Sequence, residues 1–351
     1  MQQWDSYVVE PIQASDFRAE ILALWHERED DNALNAAVFQ WFLEHYPFAG
    51  LYVYGLFHDV DGQKSLIGIQ ALIVRNWLVE GEAGQFGNAC ALVVGRHYRS
   101  LGPALKLVRT TLGAAPAVAD FFYSFPNRLA TPLFKRAGSL YMDEMARYSK
   151  PLKTRIFFER HRRLKSVAGL SSVTDSVLAL VDYWNGLWCR RLKYEVVATP
   201  DQRFDALWQH CEKQRWVIGD RGSAYLGWRL SNFPRVKNRI VAFYANDPAQ
   251  LSGYVAYYVD TQGSFFVEDF LARDGVAGLR CLLIQFILYA RKHKAQSISA
   301  EFFGDQAIVD LLRKLHFYKR DVRPIYTVSS KYKMEEMGRK RWYVTHLDED
   351  Q

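Results

Sequence analysis

Four cysteines, Cys90, Cys189, Cys211 and Cys281, are all that the chain contains, and no two stand at CxxC spacing. They read as free thiols, with Cys90 and Cys281 inside apolar runs as small core residues. The nine histidines make no pair at metal-ligand spacing with acids or cysteines, so no metal site is expected. No Walker A loop, GxGxxG, HExxH or GxSxG pattern occurs, which sets aside P-loop, dinucleotide, zinc-peptidase and serine-hydrolase chemistry. Basic segments lack an RRM or helix-turn-helix signature, so direct nucleic-acid binding is not expected. Residues 1–10 are polar and acidic where a signal peptide would be basic and then apolar. No run of about 18 apolar residues exists, and the chain reads as a cytoplasmic protein without a membrane span.

What is present suits a substantial core. Apolar residues make up 49% and aromatics 15% of 351 residues, a length that favours two domains. The net charge of +7 is unevenly placed: residues 1–150 carry 13 cations against 16 acids, and residues 151–351 carry 32 against 22. A basic second half suits an anionic partner such as tRNA, a nucleotide sugar or an anionic membrane face; the alternative is a solvated basic surface.

The stretch Arg99-Ser100-Leu101-Gly102-Pro103-Ala104 follows an apolar run at 89–94 and precedes a helical pattern at 103–112, with Leu105, Val108 and Leu112 on one face. It turns a strand into a helix start. Small residues at Gly102 and Ala104 admit a ligand to the backbone, and the first-turn amides of the helix point outward. Together with the positive end of the helix dipole they form a cradle for pyrophosphate. Pro103 removes one donor but suits a first helical turn.

Arg-x-x-Gly-x-Ala after a buried strand resembles the acyl-CoA-binding loop of the GCN5-related N-acetyltransferase (GNAT) superfamily. The following order agrees: strand 121–125, break at Pro126-Asn127, short helix 131–137 closed by Gly138, strand 140–148. The resemblance implies two parallel strands that splay apart, with the pantetheine arm of acyl-CoA inserted between them. It places Val93, Val94, Arg99, Ser100, Leu101, Gly102, Ala104 and Asn127 around the cofactor. An amide of Leu92, Val93 or Val94 would polarise the thioester carbonyl. It also implies direct transfer to an amine, with Tyr141 or Tyr123 as proton donor (Tyr98 lies beside the loop) and Glu82, Glu80 or His97 as base.

The pattern returns roughly 175 residues later, which points to duplication. Strands at 251–259 and 263–271, a helix at 277–292, a strand at 297–302, a helix at 305–315 and a strand at 323–329 repeat the order. The second loop, Arg273-Asp274-Gly275-Val276-Ala277-Gly278, has Val276 in place of Gly102 and an acid at Asp274, so acyl-CoA is expected in the first copy. The expected fold is α/β (α+β): two tandem GNAT-like domains with mixed central sheets flanked by helices. They span 1–150 and 173–333, with a basic linker at 151–172 and a charged C-terminal tail at 334–351.

Arg229, in a Tyr-Leu-x-Trp-Arg segment, and the strand-end pair Glu268 and Asp269 are expected to bind the acceptor between the domains, the alternative being internal ion pairs. Two adjacent acids on a strand face opposite ways, so at most one enters a given cleft. Lys153, Arg155, Arg160, Arg162, Arg163 and Lys165, interrupted by Phe157 and Phe158, read as an anion-binding or lipid-surface strip, or as a wet linker. Tandem GNAT chains resemble acyltransferase-like proteins linked to bacterial surface-polysaccharide synthesis and, more distantly, Fem-type aminoacyl transferases. The expected reaction is acyl transfer, acetyl in the first instance, from acyl-CoA to an amino group of a sugar or small metabolite. The alternatives are a tRNA-dependent peptidyltransferase, for which no heptad-patterned arm is visible, and a non-catalytic binding protein.

Overall fold

The computed structural model of the chain describes residues 6–29, 31–48, 50–154, 171–189, 191–329 and 331–349. The first copy runs β1 (Tyr7–Ile12), α1 (Arg18–His26), α2 (Asn32–Phe39), β2 (Gly50–Val60), β3 (Gln63–Val79), β4 (Glu82–Val94), α3 (Leu101–Ala114), β5 (Phe121–Ser124), α4 (Thr131–Arg136) and β6 (Leu140–Pro151). Asp61-Gly62 and Glu80-Gly81 all have positive φ, as two-residue hairpin turns need, and fold β2, β3 and β4 into a meander. The apolar stripe of α3 buries Leu105, Val108 and Leu112, as its spacing predicts.

The second copy runs α5 (Ser171–Leu187), β7 (Lys193–Val197), α6 (Gln202–His210), β8 (Val217–Gly219), α7 (Ser223–Leu226), β9 (Arg239–Tyr244), β10 (Leu251–Val259), β11 (Phe265–Ala272), α8 (Gly275–Lys292), β12 (Ser297–Gly304), α9 (Gln306–Lys314) and β13 (Tyr318–Ser329). A short helix, α10 (Met334–Met337), and a last strand, β14 (Trp342–Thr345), follow. β5 is parallel to β4, and β12 to β11, so each copy has one parallel step after an antiparallel meander.

The copies exchange strands. Along the sheet the order is β1-β2-β3-β4-β5-β13-β6-β12-β11-β10-β9-β7. β6 of the first copy pairs with β12 of the second, and β13 of the second pairs with β5 of the first. The expected division at residue 150 therefore does not separate two sheets: β6 lies hydrogen-bonded between strands of the other copy. The expected charged tail at 334–351 is also corrected. Trp342, Tyr343, Val344 and Leu347 are core residues, and β14 is paired on both edges. A run of charge reads as solvated in sequence, but here Asp348 meets the buried Arg75 and Arg221, and Glu349 meets Arg323. Of the expected basic linker, residues 155–170 lie outside the described residues, and Ser171 already begins α5.

Candidate functional site

β4 and β5 stay together only briefly. Phe86–Asn88 pair with Phe121–Tyr123, after which β4 continues to Val94 without β5 while keeping β3 on its other edge. The divergence has a local cause on the other edge. The β3–β4 register shifts between Ile69↔Val93 and Ala71↔Cys90, so Ala91 and Leu92 both face Gln70, and Ala91 sits at φ 51°. This is a β-bulge, which bends the strand and takes backbone groups out of the ladder.

Beyond the bulge a cavity of about 540 Å3 opens between β4, α3 and α4. Val93, Val94, Arg99, Ser100, Leu101, Ala104 and Asn127, all expected at the cofactor, line it with Arg28 and Leu92. At its α3 end Ser100 is extended and its side chain makes no cap bond, which leaves the first-turn amides of Leu101 and Gly102 without an intrahelical partner. The Arg99 Nε donates to the Val94 carbonyl at 2.9 Å, which holds the guanidinium at the mouth. Asn127 is partly committed, since its Oδ1 accepts from the Leu129 and Ala130 amides at 3.0 and 2.9 Å and starts the α4 turn. The result is a largely apolar slot with Arg99 and an uncapped helix start at one end and Arg28 towards the bulge.

A smaller recess lies on the other side of the bulge, lined by Trp25, Arg28, Glu29, Asn35, Cys90–Val93 and Arg235 among others. It shares Arg28, Leu92 and Val93 with the larger cavity, so the two meet at the bulge. Arg235 reaches in from the second copy and donates to Glu29 Oε2 at 2.6 Å. The Asn35 side chain fixes the loop, its Nδ2 donating to the Glu29 carbonyl at 2.9 Å. Sequence reasoning missed Trp25, Glu29 and Arg235, which belong to no motif. The signal that could have found Arg235 is the loop Asn232-Phe233-Pro234 immediately before it.

The second copy repeats this geometry and fills it. β11 pairs with β12 at Phe265–Val267 and then leaves it, with a bulge at Glu268 between Ala256↔Asp269 and Tyr257↔Val267. β14 enters the gap, pairing Tyr343–Thr345 with Phe302–Gly304 on the edge β11 has vacated. At the start of α8, a Cβ on Gly275 would lie 2.5 Å from Glu212 Oε2, so the chain's own carboxylate stands where a phosphate would bind. The expectation that this copy is closed to acyl-CoA rested on Val276 and Asp274; β14 and Glu212 are the larger obstacles.

Arg229, Glu268 and Asp269 are occupied by the chain itself, which corrects their assignment to the acceptor. Arg229 donates to the Glu349 carbonyl at 3.0 Å and lies 3.8 Å from Glu268, whose Oε2 is 2.9 Å from His346 Nδ1. Arg323 pairs with both Glu301 and Glu349. Asp269 accepts from Thr345 Oγ1 at 2.6 Å and from Tyr254, and Asp348 takes both Arg75 and Arg221. With His346 protonated, cations and anions match in number in each set. Burial pushes the Glu268 carboxyl up, but His346 and Arg229 outweigh it and hold it below the usual range. Burial likewise pushes His346 down, and Glu268 with its neighbouring acids reverses this and raises it.

The expected acid–base residues are dispersed. Tyr123 is buried, and its hydroxyl donates to the Asp348 carbonyl at 3.0 Å, inside the charge network and away from the cavity. Tyr141 is exposed on β6 against Tyr326, and partial desolvation with nearby Glu144 and Asp143 raises its phenol further. Glu82 opens β4 at the end opposite Val94, roughly 40 Å along the strand. Glu80 occupies the β3–β4 turn and pairs with Lys340 at 2.8 Å. His97 is exposed beside Arg96, and Tyr98 contacts His58 at 3.4 Å; neither lines the cavity.

No family profile and no curated protein matches the chain. Solved structures do match. A conserved protein of unknown function from Enterococcus faecalis superposes with a TM-score of 0.63 at 14% identity, over 92% of this chain and 71% of that one. A GCN5-related N-acetyltransferase from Anabaena variabilis gives 0.61 at 12% identity, over 91% and 72%. A tandem GNAT protein from the clavulanic acid biosynthesis pathway gives 0.50 at 13% identity, over 92% and 98%. The chain has the GNAT fold, built in tandem.

Proposed function

We propose that the protein is an acyl-CoA-dependent N-acyltransferase whose first copy holds the acyl-CoA and whose second copy is a structural partner that contributes to the acceptor side. The observation that carries this reading is the contrast between the two splays: the first opens into a cavity of about 540 Å3, and the second is closed by β14. Val93, Val94 and Asn127 would flank the pantetheine, and the amides of Leu101 and Gly102 with Arg99 would hold the pyrophosphate beside the small Ala104. The acceptor, an amino group of a sugar or small metabolite, would enter the recess of Trp25, Glu29, Asn35 and Arg235. There Glu29 attracts the ammonium and takes a first proton from it, leaving the neutral amine to attack; as the C–N bond forms and the C–S bond breaks, the second amine proton passes to solvent or to the departing thiolate. A bulge amide at Leu92 or Val93 stabilises the carbonyl oxygen. A thiol has a pKa of about 8.5, so the thiolate leaves without a dedicated acid, in keeping with a cavity lining that includes no phenol. Native mass spectrometry and calorimetry with CoA and acetyl-CoA test the reading. One CoA per chain is expected, and absence of binding removes it.

A further inference from the structure

Helix α5 is amphipathic the wrong way round. Its inward positions are mostly small or polar, among them Ala179, Asp182, Asn185 and Gly186, and they pack on α8; a Cβ on Gly186 would lie 3.0 Å from Leu288 Cδ1. Its outward stripe is Val177, Leu180, Val181, Trp184, Leu187 and Trp188, with Leu180 and Leu187 each 68% exposed and Trp188 72%. The helix cannot roll to hide this face. Buried Asp182 accepts from Lys150 Nζ at 2.9 Å and Arg291 Nε at 2.8 Å, and Asp175 Oδ1 receives the Thr154 amide at 2.7 Å. Turning the stripe inward would carry Asp182 away and leave the cations of Lys150 and Arg291 without their partner. A contiguous apolar stripe held outward is an interaction surface.

The charges around it select the partner. Lys153, Arg191, Lys193, Lys292 and Lys294 are exposed on the segments that adjoin the helix. Of the acids nearest in sequence, Asp182 pairs with Lys150 and Arg291 and Glu195 with Arg203, while Asp175 accepts from Thr154; the five exposed cations outnumber it. A second copy would bring two such cationic margins together, which like-charge repulsion opposes. Tryptophan at the end of an apolar stripe, beside lysine and arginine, is the pattern of a helix lying in the headgroup region of a bilayer. We propose that α5 is an interfacial helix that docks the protein on an anionic lipid surface, with Leu180, Trp184, Leu187 and Trp188 in the headgroup–acyl boundary and the flanking cations on the lipid phosphates.

The test uses the full chain and vesicles of phosphatidylcholine alone or with about 30% phosphatidylserine. Co-sedimentation with the anionic vesicles is expected, weakening as salt rises and falling about tenfold or more in Leu180→Gln/Leu187→Gln. Both positions are exposed, so the variant should keep the wild-type melting temperature and CoA affinity. Trp188→Ser identifies the emission of that residue, which should shift to shorter wavelength only when vesicles are added. Failure of the wild type to bind vesicles, or equal binding by the double variant, overturns the proposal. So does a dimer in sedimentation velocity that the double variant dissociates, which would make the face a contact between copies. Shielding of Trp188 from acrylamide without lipid overturns it too, since the chain would then cover its own helix. None of these outcomes depends on acyl transfer.

Discussion

Asp348 joins the two copies: Arg75 on β3 of the first and Arg221 of the second both pair with its carboxylate, and all three side chains are buried. Burial pushes the Asp348 carboxyl up, but the two guanidinium groups outweigh it and hold it below the usual range. The Thr345 amide adds a hydrogen bond at 2.9 Å. The segment that fills the second splay is thus fastened to both halves of the sheet. Asp348→Ala leaves two guanidinium groups facing each other in the core. A loss of about 3–5 kcal/mol is expected in urea denaturation. A loss below about 1 kcal/mol, the range of exposed pairs, would show that the network does not hold the copies together.

Glu268 and His346 give that network a pH signature. The raised pKa of His346 contributes stability that is complete below its ordinary 6.5 and is lost as pH rises through the higher folded value. The lowered pKa of Glu268 contributes stability present above its ordinary 4.5 and lost as pH falls through the lower folded value. Melting temperature should therefore decline on the alkaline side of 6.5, and Glu268→Gln should flatten that decline. An unchanged alkaline limb in the variant would remove the pair as its cause.

The phosphate cradle carries a separate prediction. Gly102 lies in the first turn of α3, where a carboxylate side chain would oppose a bound pyrophosphate. Gly102→Glu should lower CoA affinity about 100-fold or more by calorimetry, with an unchanged far-UV spectrum. Wild-type affinity in this variant would move the cofactor elsewhere.

The parts of this molecule that were legible in its sequence are those whose cause is local. The turn from β4 into α3 is punctuated by Gly102 and Pro103, and the stripe of Leu105, Val108 and Leu112 fixes the helix face. The duplication was legible because strand and helix periods repeat in order. The strand exchange was not, since whether β6 lies beside β5 or β12 depends on which distant edge is free, and both edges read alike in sequence. For the same reason Asp348 and Glu349 looked solvated: their partners Arg75, Arg221 and Arg323 lie elsewhere in the chain. Arg229 and Glu268 were recognisable as unusual residues, but the His346 that engages Glu268 was not.

The recess at the bulge gives the last prediction. Arg235 crosses from the second copy to Glu29, and both line the recess that meets the cavity at Leu92 and Val93. If this recess receives the acceptor, Glu29 and Arg235 act on acceptor chemistry and leave the cofactor alone. A charged hydrogen bond contributes about 1.5–3 kcal/mol, so Arg235→Ala should raise the acceptor KM about 10- to 100-fold, with CoA affinity unchanged. Glu29→Gln keeps the shape and removes the proton acceptor, so kcat should fall while the KM for acyl-CoA holds. Glu268→Gln serves as the contrast: its partners are the buried His346 and Arg229, so it should lower the melting temperature and leave both KM values intact. An acceptor-specific defect in Glu268→Gln but not in Arg235→Ala would return the acceptor to the second copy and displace the recess.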